Sequence, residues 1–241
     1  MIKRIIFDID NTLIDWKAEY WDCLKNVFDE LNLPYSSETK AKIQRAVDNY
    51  EDGTNVTYTK ESMMNAIEEE LGYKLPESFF DIWIHYLGMC VPEKADDYVV
   101  YTLQYLKQKY DLVVLSNWFK KSQEERLKRL GLNKYFSATY MTENIPMKPN
   151  KEAFEIAKGP YEFSECVMVG DSLKTDVSGA VNANMNVIFY DRNNIKINQN
   201  EYIMATIHKF TELTDILQNY NCVSYWKKHW SCIINMLPCV C

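Results

Sequence analysis

The sequence predicts an α/β protein: a doubly wound parallel sheet interrupted after its first strand by an inserted all-helical segment. Three observations carry this prediction. Residues 2–7 form an apolar run rich in Ile and Phe that ends in two aspartates, Asp8 and Asp10. Residues 17–89 show repeated helical spacing and no convincing strand. From about residue 95 short apolar runs alternate with helical patterns, which is the grammar of parallel strands joined by right-handed crossovers.

Taken in order, Ile2 to Phe7 reads as a strand buried in the sheet, with Lys3 and Arg4 as its polar members. Within the insertion, Trp21, Leu24, Val27, Phe28 and Leu31 recur at intervals of three and four. So do Met63, Met64, Ile67 and Leu71, and again Phe79, Phe80, Trp83, Ile84 and Leu87. Turn signals at Asn32-Leu33-Pro34, Asp52-Gly53, Gly72 and Leu75-Pro76 separate them, so a bundle of three or four helices is expected. The second half then predicts a helix near 97–109, a strand at 112–115, a helix over 120–131 and a short strand at 138–141. A helix at 151–158, a strand at 166–169, a helix over 174–184 and a strand at 187–190 follow. Residues 205–208 suggest a last strand and 211–217 a last helix. The expected domains are therefore a core of 1–14 with 93–219, a helical cap of 15–92 and a C-terminal extension of 220–241.

The composition is that of a globular chain, with 47% hydrophobic and 25% charged residues. No apolar stretch approaches the length of a membrane span, and no transmembrane segment is expected. FDIDNTL starts so close to Met1 that no leader is expected either, and seven irregularly spaced cysteines suggest a reduced cytoplasmic protein rather than a disulfide framework. The net charge of −7 is uneven: residues 15–92 hold 15 acidic against 7 basic side chains, whereas the remainder is nearly balanced. An acidic helical surface argues against nucleic acid as a partner and against strongly anionic ligands. The oligomeric state is not legible in the sequence.

In a doubly wound sheet the ligand crevice lies beyond the carboxyl ends of the strands. Four strand ends carry polar residues there: Asp8 and Asp10, Ser116 and Asn117, Lys148 in the loop after the third strand, and Gly170-Asp171-Ser172. Each alone has a bland reading as a solvated turn, but together and in this order they point to one site. A charged pair such as Asp8 and Asp10 at the end of a buried strand is costly unless a cation or a metal compensates it. Two residues apart on an extended strand, both can face the same way.

These stretches carry a resemblance. DIDNT at 8–12, LSN at 115–117, KPN at 148–150 and GDSLKTD at 170–176 resemble the four motifs of the haloacid dehalogenase-like hydrolase superfamily, and the inserted helices resemble its helical-cap subgroup. The resemblance implies a Rossmann-like core and a Mg²⁺-dependent phosphomonoester hydrolase acting on a small phosphorylated metabolite. Asp8 would be the nucleophile that forms an aspartyl-phosphate, and Asp10 the group that gives a proton to the leaving oxygen and takes one back from water. Mg²⁺ would be held by Asp8, Asp171 and the backbone carbonyl of Asp10, with Asp176 either orienting Lys148 or holding a metal-bound water. Lys148 would offset the charge of nucleophile and phosphate, Ser116 and Asn117 would contact phosphate, and Thr12 would shape the turn or reach the phosphate. Trp16, Tyr20, Tyr50 and Trp118 are candidates for the leaving group, with a nucleoside 5′-monophosphate or a sugar phosphate as the expected class. A phosphomutase is the nearest alternative and a 2-haloacid dehalogenase a more distant one, since the dehalogenases lack the second aspartate. The tail from Tyr220 to Cys241 departs from the family pattern, and its cysteine intervals match none of the common zinc spacings.

Overall fold

The computed structural model describes residues 1–52, 57–198 and 200–221. Six parallel strands form one sheet in the order β3-β2-β1-β4-β5-β6, where β1 is Arg4–Phe7, β2 Asp111–Ser116, β3 Ala138–Met141, β4 Cys166–Gly170, β5 Asn186–Tyr190 and β6 Ile203–Ile207. The strands are short and almost continuously apolar because helices cover both faces. Along β1, Ile5 and Phe7 enter one hydrophobic cluster and Ile6 the other. Arg4 is the exception the strand tolerates: it is 6% exposed, pairs with Asp111 at 2.6 Å and donates from Nη1 to the carbonyl of Ala157.

The register brings the polar strand ends to one edge. Phe7 lies opposite Val114 on one side and Val169 on the other, and the Asp8 amide donates to Val169 O at 3.0 Å. Asp8 and Asp10 thus leave the sheet level with Ser116-Asn117 and Gly170-Asp171. The chain departs from β1 to β2 on one side and returns to it through β4 on the other, so the topological switch point of the sheet is at Asp8.

Between β1 and β2 run a short 3₁₀ helix, Ala18–Asp22, and α1 (Cys23–Glu30), α2 (Ser37–Asp52), α3 (Lys60–Leu71), α4 (Phe79–Met89) and α5 (Asp97–Leu106). The apolar stripes seen in the sequence form a third cluster within α1–α4, centred on the fully buried Phe28, Phe79 and Trp83. Phe119 and Met147, from the loops after β2 and β3, join it. Beyond β2 come α6 (Lys120–Arg129), α7 (Lys151–Lys158), α8 (Ser178–Asn182) and α9 (residues 212–221). The helix expected over 174–184 is in fact two pieces: Leu173–Val177 form a π-helical turn before α8 begins. Asp176 accepts from the backbone of Ser172, which draws that first turn back over the end of β4. The last strand begins two residues earlier than expected, at Ile203. The extension beyond 221, with four of the seven cysteines, lies outside the described residues.

Candidate active site

The site forms where β1, β2 and β4 end. Asn11 adopts φ 58°, a left-handed conformation Asn tolerates, and the amides of Leu13 and Ile14 both donate to Ile9 O. This tight turn fixes the chain just past Asp8 and Asp10, and both aspartates line a single cavity of about 510 Å³ with Ser116, Asn117, Lys148, Asp171 and Asp176.

Lys148 is the hub. Its ammonium, 1% exposed as a residue, donates to Asp8 Oδ1 at 2.7 Å, Asp176 Oδ1 at 2.6 Å and Leu115 O at 3.0 Å. All three of its protons are thereby used. Asn117 places it: the Asn117 side chain accepts from Lys148 N at 2.9 Å and donates to Lys148 O at 3.1 Å. Asp176 is fully buried, and its second oxygen accepts from Ser172 N at 3.1 Å. Gly170 makes room for it, because a Cβ there would lie 2.2 Å from Asp176 Oδ2.

Asp8, Asp171 and Asp176 each offer a carboxylate oxygen, and the three lie within 4.8 Å of one another. Ionised, they place three negative charges around one ammonium, an excess that burial makes expensive. Burial accordingly pushes the Asp8 carboxyl up to about 8, against the pull of Lys148 and with Asp176 and Asp10 adding to the rise. Burial, and then Asp176, pushes Asp171 up to about 6. Desolvation opposes the Lys148 charge, but Asp176 and Asp8 outweigh it and hold its pKa above the usual lysine range. A hard divalent cation with oxygen ligands fits this charge excess and this donor set.

Asp10 is turned away from that trio. Its Oδ1 accepts from Arg126 Nη1 at 2.6 Å and its Oδ2 from Gln123 Nε2 at 2.8 Å. Gln123 also donates to Ser116 Oγ at 3.1 Å, which ties the second aspartate to the end of β2. Gln123 and Arg126 escaped the sequence reading. The available signal was the composition of α6, KKSQEERLKR, whose buried face is Ser122, Gln123, Arg126 and Leu127 and so is mostly polar. Thr12 does not line this cavity. Its buried hydroxyl has no hydrogen-bond partner among the described residues, and the residue lines a separate cleft with Asp15, Lys94 and Arg192. Of the four aromatic candidates, Trp16 and Trp118 line the cavity and Tyr20 and Tyr50 do not; Trp21 and Tyr58 line it as well.

A profile of the haloacid dehalogenase-like hydrolase family matches residues 5–190. The chain belongs to that family. The putative HAD-hydrolase YfnB of Bacillus subtilis is 26% identical over 92% of this chain and 98% of its own length. A crystal structure of YfnB bound to magnesium superposes with a TM-score of 0.66 at 25% identity, covering 90% of this chain and 98% of that one. The pyrimidine 5′-nucleotidase YjjG of Escherichia coli is 27% identical over 75% of this chain and 82% of its own. A 2-haloacid dehalogenase structure from Pseudomonas syringae has a TM-score of 0.68 at 24% identity, over 91% of this chain and 100% of its own, a likeness of fold alone.

Proposed function

We propose that this member of the family is a Mg²⁺-dependent phosphomonoesterase that works through an aspartyl-phosphate. The observation that carries the reading is Asp10, held in the cavity of Asp8 by Arg126 and Gln123. Halide displacement needs no proton for its leaving group, whereas an alkoxide does. In the first step an Asp8 oxygen bonds to phosphorus as the ester P–O bond breaks, and Asp10, entering the step protonated, gives that proton to the leaving oxygen and is left as the carboxylate that Arg126 and Gln123 hold. In the second, Asp10 takes a proton from water as that water displaces Asp8 from phosphorus and phosphate departs. Lys148 donates to Asp8 Oδ1, and the other oxygen, with no hydrogen bond among the described residues, is the one assigned to attack. Ser116 and the backbone amide of Asn117 receive phosphate oxygens. Asp8, Asp171 and the carbonyl of Asp10 are the residues assigned to Mg²⁺, which when bound supplies positive charge for the phosphoryl oxygens. Asp176 orients Lys148, as its 2.6 Å contact suggests.

In this reading residues 1–14 and 93–219 are the catalytic core and 15–92 the cap that closes over the leaving group. The substrate is a small phosphorylated metabolite. YjjG, a nucleotidase, supports the phosphate-ester class and makes a nucleoside 5′-monophosphate one candidate beside a sugar phosphate. Among the described residues no helix is long and apolar enough to cross a membrane, and Cys23, Cys90 and Cys166 are free thiols, in keeping with a cytoplasmic enzyme. The test is hydrolysis of p-nitrophenyl phosphate: turnover is expected with Mg²⁺, background with a chelator, and background for Asp8→Asn. Absence of turnover by the unaltered protein, or chloride release from a 2-haloacid instead, overturns the proposal.

A further inference from the structure

The cap side of the cavity contains a carboxylate that the chemistry above does not use. Glu51, on the last turn of α2, lines the cavity beside Asp48 and Asp52. Tyr58 donates to its Oε1 at 2.7 Å. Tyr58 itself is 1% exposed and locked edge-on against Trp118 and Phe119, with ring centroids 5.6 Å apart in each case, so Glu51 has a rigid support. Among the described residues no Lys, Arg or His pairs with Glu51, and the nearby Lys174 is taken by Asp52 at 2.6 Å. Burial pushes the Glu51 carboxyl up from its ordinary value, Tyr58 opposes this, and Asp48 and Asp10 add to it. A half-buried carboxylate with one donor and no cation is incompletely satisfied, and a ligand group is a natural second donor.

A second, independent observation comes from α6. Arg126 lines the same cavity at 2% exposure; its Nη1 and Nε are engaged by Asp10, Gln123 and Cys90 O, and its buried Nη2 has no partner among the described residues. Arg126 and Glu51 thus put a cationic side chain and an incompletely satisfied acceptor on the walls of one cavity. A hydroxyl or an ammonium can donate to Glu51. A second carboxylate or phosphate supplies only acceptors and meets Asp48, Glu51 and Asp52 as like charges.

We infer that Glu51, braced by Tyr58, is a selectivity residue that binds a hydroxyl or ammonium donor of the leaving group, so that the enzyme takes hydroxylated or aminated phosphomonoesters and rejects those with a second negative charge. This rests on the phosphatase reading and deepens it. The test compares kcat/KM with Mg²⁺ for glucosamine 6-phosphate, glucose 6-phosphate and gluconate 6-phosphate, each relative to p-nitrophenyl phosphate. These three present an ammonium, hydroxyls alone and a carboxylate on a similar carbon frame. The first two are expected to exceed the third by about tenfold or more, the scale of one hydrogen bond to a charged group. Glu51→Gln should narrow that ratio, Tyr58→Phe should narrow it in part, and Glu51→Lys should invert it, with melting curves confirming that each variant is folded. A wild-type preference for the carboxylate ester, hydrolysis of p-nitrophenyl phosphate without any of the three, or folded Glu51→Gln and Glu51→Lys proteins that keep the wild-type ratio overturns the inference. Failure to turn over even p-nitrophenyl phosphate overturns the phosphatase reading beneath it.

Discussion

Asp171 is the carboxyl through which the proposed site should respond to pH and to Mg²⁺. Lys148 divides its protons among Asp8, Asp176 and Leu115 O, so Asp171 is left without an ion pair among the described residues. Burial and Asp176 raise its pKa from 3.8 to about 6. A carboxyl that keeps its proton to higher pH in the folded state than in the unfolded one favours the fold below the lower value, and that contribution is lost as pH rises through the higher one. Without metal, the wild-type protein is therefore expected to lose stability relative to Asp171→Asn between pH 3.8 and about 6. On the proposed assignment Mg²⁺ takes the ionised form, and adding it should reverse the loss in the wild type by mass action, with a much smaller effect on the variant. Thermal melts of both proteins across that range, with Mg²⁺ and with chelator, check this; parallel pH profiles would show that Asp171 is not held in its protonated form.

At the scale of elements, α6 is the helix whose role was least visible. Its only apolar residue on the buried face is Leu127, and the rest of that face is polar because it covers the site rather than the core. Gln123 reaches Asp10 across 113 positions of sequence, a distance no periodicity reveals. Gln123→Ala should cost about 1–2 kcal/mol of stability. It should also lower kcat about tenfold to a hundredfold through a misplaced Asp10, with KM little changed. Steady-state kinetics and denaturant melts separate the two effects; a change confined to KM would place Gln123 in substrate binding instead. The central strands were legible because burial on both faces makes β1, β2, β4 and β5 nearly unbroken apolar runs, and the motif residues were legible because they stand where those runs stop. Less so were the π-helical turn before α8, which depends on the Asp176 contact to Ser172, and the turn between β2 and α6, where Trp118 takes φ 135°. That conformation is strained for a bulky residue and is held by rings of the cap, Tyr58 and Trp83, which only the folded chain brings near. Thr12 illustrates the converse: the motif drew attention to it, yet it lies beside a different cleft.

For the molecule as a whole, the division into core and cap is less clean than the sequence suggests, because the apolar centre of the cap bundle is completed from the other side. Phe119 is 1% exposed and sits with its ring 4.7 Å from that of Phe80 on α4, and Met147 joins the same cluster. Both are neighbours of site residues, Phe119 two positions after Asn117 and Met147 immediately before Lys148. Movement of the cap bundle would therefore pull on the same loops that carry Asn117 and the buried lysine. The exposed Lys174–Asp52 pair that also bridges the two regions is a weak tie by comparison, since both side chains are mostly in water. Phe119→Ala should leave a cavity in the bundle and cost about 3–5 kcal/mol. Hydrogen exchange should then show α1–α4 losing protection while β1, β2 and β4 keep theirs, and activity should fall although no catalytic group has changed. Protection lost evenly from bundle and sheet would mean that the two unfold as one cooperative unit, and that closure over a substrate comes from small shifts of the loops at Trp118 and Met147 rather than from the helices moving as a body.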